Sequence, residues 1–141
     1  MGGLDDEIME ENVIAIEEKK PKRRPFHYWK VGDREYKLKL KTSMIERVEA
    51  KFGGKNILTL VSDLPPLGVM LTITQAAMAP WEHGIGYPEI QSLYDKWTDD
   101  GGSQMEFYTS VIMPTLEVSG FFTAAQAASM TAALKEMDDL T

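Results

Sequence analysis

The residues of this chain that could do chemistry crowd near its N-terminus. Phe26, His27, Tyr28 and Trp29 stand among Lys22, Arg23, Arg24, Lys30 and Arg34. Aromatic rings interleaved with cations can stack nucleobases and hold phosphates. A structural role serves as well: the rings pack a hairpin onto helices while the cations keep an edge soluble. Nucleophilic catalysis needs an activating base beside Ser, Thr or Cys. The chain has no Cys, and its only histidines are His27 and His83; both read as surface or packing residues. With Asp95 as the first position of an EF-hand loop, Asp99 and Glu106 fall at the fifth and twelfth. Trp97 then holds the third, and Asp100 the sixth, where glycine is required. No phosphate-binding glycine motif occurs; Gly53-Gly54-Lys55 reads as a helix stop. The expectation is a protein that is not an enzyme, with no catalytic residue, metal or cofactor.

Charge is partitioned along the chain. Residues 1–18 carry seven acids and no Lys or Arg. Residues 19–55 carry thirteen of the fifteen basic side chains and four acids, about +9. Residues 56–141 carry Lys96 and Lys135 against eleven acids, −9, so a net −7 hides three blocks of alternating sign. Exposed charges more than about 8–10 Å apart are largely screened at physiological salt, so a partner meets one block at a time. This is the pattern of a binding protein. A protein partner is favoured over nucleic acid, because the −9 helical part repels a polyanion. The acidic start is unlike a secretory signal. No apolar run approaches the roughly 20 residues of a membrane span. These features point to the cytoplasm.

Residues 1–25 read as a disordered, acidic-then-basic tail. Residues 26–141 read as a single globular, mostly helical domain: α+β, mostly α, with an N-terminal β-hairpin followed by five or six short helices. Lys37, Lys39 and Lys41 alternate with Tyr36, Leu38 and Leu40, a strand with one wet and one buried face. Gly32-Asp33 suits a two-residue turn. Ser43/Glu46, Ser103/Glu106 and Thr123/Gln126 have capping-box spacing. Asn56 to Val61 and a segment opening at Pro66 read as helices, the second facing inward with Leu67, Met70, Leu71, Thr74 and Met78. Another opens at Pro88, facing inward with Ile90, Leu93, Tyr94 and Trp97. Pro114 is expected to kink or divide the segment after Ser103. The last helix should face inward with Ala127, Met130, Leu134 and Met137. The interface residues predicted are Lys37, Lys39 and Lys41 on the strand, with Arg23 and Arg24 in the tail. Nine Met residues suit adaptable core filling or a forgiving interface.

From Tyr36 onward the chain resembles the tail assembly chaperones of long-tailed phages and prophages of Gram-positive bacteria. The resemblance runs through Tyr36-Lys37-Leu38-Lys39-Leu40, Ile45-Glu46-Arg47-Val48-Glu49-Ala50-Lys51-Phe52-Gly53, Asn56-Ile57-Leu58 and Leu93-Tyr94-Asp95-Lys96-Trp97. It closes with Asp100-Gly101-Gly102 and Leu116-Glu117-Val118-Ser119-Gly120-Phe121-Phe122. It implies a non-enzymatic protein that binds the tape-measure protein, keeps it soluble, helps recruit tail-tube subunits and is absent from the mature virion. It also implies the cytoplasm of the infected or lysogenic host as its place of action. Self-association stays open. The alternatives are a nucleic-acid-binding module using the basic 19–55 block, and a structural tail or connector subunit.

Overall fold

The computed structural model describes residues 22–140; the acidic stretch and most of the expected tail lie outside them. Strands β1 (His27–Val31) and β2 (Arg34–Leu38) pair antiparallel, with Val31 opposite Arg34 and Trp29 opposite Tyr36. Gly32 at φ 62 opens the two-residue turn, the conformation a Gly-first hairpin turn requires. Trp29, Val31, Tyr36 and Leu38 are buried, while Tyr28, Lys30, Glu35 and Lys37 face outward.

Six helical segments follow among the described residues, one of them made of two α-helices joined by a π-helical turn. Helix α1 (Thr42–Lys51) begins without a side-chain cap. The Ser43/Glu46 box does not form there, because the chain turns earlier: the Lys41 carbonyl already accepts from Met44 and Ile45. Helix α2 (Ile57–Leu60) is capped twice, by Asn56 Oδ1 accepting from the Leu58 amide at 2.8 Å and by Glu49 Oε2 accepting from the Ile57 amide at 3.0 Å. Helix α3 (Leu67–Met78) is central, packing on the hairpin, α1 and α4 (Tyr87–Asp99). Met70, Leu71, Thr74 and Met78 are buried as their spacing predicts. Ile73 and Ala77 are buried too, because the hairpin, α1 and α4 cover this helix on several sides.

Helices α5 (Gln104–Phe107) and α6 (Met113–Val118) are joined by a π-helical turn over Tyr108–Ile112. The expected disruption at Pro114 takes this form: the Met113 amide reaches back five residues to the Tyr108 carbonyl, widening the turn just before the proline. Helix α7 (Ala124–Leu140) starts with a complete capping box: Gln126 Oε1 accepts from the Thr123 amide at 2.8 Å, and Thr123 Oγ1 accepts from the Gln126 amide at 3.2 Å. Ala127 is buried, but Met130 is 37% exposed rather than inward-facing. The expected inward roles of Leu134 and Met137 lie outside the described side chains.

An aromatic hub links the hairpin to α4 and α5. Trp29 from the hairpin meets Phe107 at 5.2 Å and Trp97 at 6.3 Å, and Tyr94 meets Phe107 at 5.2 Å. Such edge-to-face pairs contribute about 0.5–1.5 kcal/mol each beyond their buried area. Gly102 belongs to this hub in a negative sense: a Cβ there would sit 2.4 Å from the Trp97 ring. The turn Asp99–Gly102 closes α4 with Gly101 in the left-handed region, its amide bonding to the Thr98 carbonyl and that of Gly102 to the Trp97 carbonyl. Helices α1 and α6 stop with the same pair of bonds, at Gly53-Gly54 and Gly120-Phe121.

Candidate functional site

Two surfaces stand out, and the first is the hairpin's outer face. Period-two burial continues past the end of β2, so Leu40 is buried while Lys41 is exposed and Lys39 half-buried. The Lys39 amide donates to the Ala77 carbonyl at 3.1 Å, and Trp81 Nε1 donates to the Lys39 carbonyl at 3.3 Å. These bonds lash the strand extension to the end of α3 and bring Trp81 beside Phe26, edge to face at 4.8 Å. Lys37 Nζ stands 5.1 Å over the Phe26 ring and Lys41 Nζ 5.0 Å over the Trp81 ring. Tyr28, opposite Lys37 in register, is 44% exposed and completes the aromatic row. The result is a basic–aromatic patch whose ammonium groups are held on ring faces by cation–π attraction.

Of the five predicted interface residues, Lys37 and Lys41 meet on this patch and Lys39 holds its scaffold. Arg23 and Arg24 take another direction. Arg23 Nε donates to the Glu117 carbonyl at 3.2 Å, and an Arg24 guanidinium nitrogen lies 3.4 Å from His27 Nδ1. His27 Nε2 donates to the Ser110 carbonyl at 2.8 Å. A carbonyl only accepts, so the proton is on Nε2 and Nδ1 is free to accept from Arg24. In a regular α-helix the Ser110 carbonyl would take the amide of the residue four places on. That residue is Pro114, which has none, and His27 supplies a donor instead. Burial, opposed by this bond and reinforced by the Arg24 charge, lowers the His27 pKa below its ordinary value. His27 is therefore a clamp between β1 and the α5–α6 segment.

His83 lies in an open cleft of about 520 Å³, beside the ion pair in which Arg34 meets Glu82 at 2.8 Å. The Glu89 carboxylate in that cleft accepts from the Gly86 amide at 3.0 Å and serves the start of α4. Among the described residues, no group of three or more His, Asp or Glu is placed to hold a metal ion. Asp95 and Asp99 are in α4, and Ser103 Oγ accepts from the Glu106 amide at 3.1 Å, capping α5. No helix among the described residues is long and apolar enough to cross a membrane.

The second surface escaped the sequence reading. A groove of about 740 Å³ runs between α2 and α7, lined by Leu58, Val61, Phe121, Phe122 and Met130, with no charged side chain in its wall. Leu58 is 39% exposed and Met130 37%, among the few large apolar side chains so open to solvent. Its floor is fixed from below: Val61 is buried, and the Tyr108 hydroxyl donates to the Val61 carbonyl. No local pattern marks the groove, since Met130 shares helical spacing with the buried Ala127 and reads as inward-facing.

Residues 23–141 match the model of a family of unknown function, DUF6096, and the chain belongs to that family. No curated protein and no solved structure matches the chain.

Proposed function

We propose that this protein is a tail assembly chaperone of long-tailed phages or prophages, acting by binding and not by catalysis. The observation that carries the reading is a convergence. Asn56-Ile57-Leu58 and Ser119-Gly120-Phe121-Phe122, two of the motifs behind the resemblance, are some sixty residues apart, yet Leu58, Phe121 and Phe122 line one apolar groove. An amphipathic helix of the tape-measure protein is the occupant this groove suits, laying apolar side chains at helical spacing against Leu58 and Met130. Met130, unbranched and polarisable, adapts to changing side chains along a long repetitive partner. Burial contributes about 25 cal/mol per Å² of apolar surface. A stable complex needs more than about 1,000 Å² in total, so the groove is an anchor within a wider contact. In this reading the protein works in the host cytoplasm, helps recruit tail-tube subunits and leaves the finished tail.

Co-expression with the tape-measure protein of the same genome tests it. The expected result is a soluble complex through gel filtration, lost when Leu58→Asp and Met130→Asp are combined in a chain that still folds. An insoluble tape measure beside the native chain would end the proposal. A second reading, a nucleic-acid-binding module, has the basic–aromatic patch in its favour. Against it, the ammonium groups of Lys37 and Lys41 stand on ring faces that bases would need. It predicts single-strand binding that falls steeply with salt.

A further inference from the structure

We infer that the basic–aromatic patch is a docking surface for the acidic stretch Asp5–Glu18 of this same chain, which competes there with any other acidic ligand. The inference does not depend on the tape-measure reading, which uses the other surface.

Three observations converge. The first is the chemistry of the patch. Lys37 and Lys41 are exposed and held on the Phe26 and Trp81 rings. The ion pair found among the described residues is Arg34–Glu82, so neither lysine has a carboxylate partner there. Two fixed ammonium groups bordered by Phe26, Tyr28 and Trp81 suit a peptide that brings carboxylates and apolar side chains together. Because the lysines cover ring faces, point carboxylates fit better than flat bases.

The second is the composition of the stretch. It contains Asp5, Asp6, Glu7, Glu10, Glu11, Glu17 and Glu18 with no Lys or Arg, and Met9, Val13, Ile14 and Ile16 lie between the acids. This is the complement of the patch in charge and in apolar content. The third is where the chain enters the described fold. Arg23 is tied to the Glu117 carbonyl and Arg24 to His27, and Phe26, three residues after Arg23, is already in the patch. From Glu18 to Lys22 the chain spans at most about 14 Å. So short a tether gives an effective concentration on the order of millimolar, enough to populate a contact too weak to survive between separate molecules.

Lys19, Lys20 and Lys22 lie closer in sequence and compete for the same acids, so the experiment must separate the two sets. The chain has no cysteine, so Met9→Cys gives one attachment point for a nitroxide in the full-length protein. In isotope-labelled chain, the amides of Tyr28, Lys37 and Lys41 and the Trp81 indole should lose most of their signal. Those of Leu58 and Met130 should keep theirs. The loss should vanish with Lys37→Glu/Lys41→Glu, with Lys37→Gln/Lys41→Gln, and in about 1 M salt, where the screening length is about 3 Å. Three results would overturn the inference: no selective loss; a loss unchanged in both double variants, which puts the acids on Lys19–Lys22; or a loss arising only when spin-labelled and isotope-labelled chains are mixed, which makes a second copy the occupant. As an independent arm, changing Glu10, Glu11, Glu17 and Glu18 to Gln should tighten binding of a polyglutamate probe several-fold. Equal affinity would also overturn it.

Discussion

At the hairpin, apolar rings are covered by charge; between α2 and α7, apolar side chains are left bare. Lys37 and Lys41 stand on Phe26 and Trp81, whereas Leu58 and Met130 open to solvent with no charged neighbour in the groove wall. A surface of the first kind selects by charge, acts at a distance and weakens with salt. The second selects by shape and apolar area and is nearly indifferent to salt. A holding protein with both can be approached through one and grip through the other. The two also differ in how they are built. The hairpin face comes from one stretch of sequence plus Trp81, while the groove is assembled from α2, the Gly120–Phe122 turn and α7.

The largest test asks whether the two surfaces are one structure. Trp29 lies buried beneath the hairpin and against Phe107 and Trp97. Trp29→Ala should cost about 3–5 kcal/mol, as for large aromatic truncations in packed cores. Chemical denaturation should show both surfaces lost in one transition. If the groove keeps its structure after the hairpin has let go, the comparison is between two independent units. Next in size is a crossed pair of surface variants. Under the proposed function, Leu58→Asp/Met130→Asp should weaken tape-measure binding at least about tenfold, equivalent to about 1.4 kcal/mol. Lys37→Glu/Lys41→Glu should change it far less at high salt. Calorimetry at two salt concentrations reads both, and equal losses would erase the distinction between the surfaces.

The smallest effect concerns His27. Its pKa is lowered in the fold, so the unfolded chain takes up the proton first. Stability contributed by neutral His27 is complete above its ordinary value of about 6.5 and is lost as pH falls from there toward the lowered value. Protonation also sets a second N–H against the Arg24 guanidinium. Between pH 7.5 and 5.5 the denaturation midpoint should fall in the native chain and fall less in His27→Gln. Amide exchange should quicken in β1 before it does in α2. A midpoint slope identical in the two proteins would remove His27 as its source.

Much of the fold was legible because local rules agreed. Alternation from Tyr36 to Leu40, Gly32 at the turn and the Thr123/Gln126 box each name one conformation, and each forms. The basic patch was half legible. Charge and alternation marked Lys37 and Lys41, but Trp81 arrives from the far end of α3, beyond any local pattern. Arg23 and Arg24 looked like part of the same patch because they are near it in sequence, yet their hydrogen bonds lead to His27 and Glu117. The groove was illegible for the opposite reason. Leu58 and Phe121 look like ordinary core residues in their own segments, and only the gap between α2 and the start of α7 leaves them lining a groove. The glycines that punctuate the resemblance are helix stops at Gly53, Gly101 and Gly120, so they report shape before they report any partner.

The bond from His27 to Ser110 crosses 83 positions of sequence, and that separation has a consequence in time. The hairpin leaves the ribosome first. The π-turn it clamps, and Phe107 against which Trp29 packs, follow some 80 residues later. At about 5–20 residues per second, the inner face of the hairpin waits some 4–16 s for its partners. For those seconds Trp29, Val31, Tyr36 and Leu38 form a bare apolar strand pair, which alone is marginally stable in water. Lys30 and Lys37 on the opposite face put like charges on that pair, and charged side chains discourage edge-to-edge pairing of exposed strands.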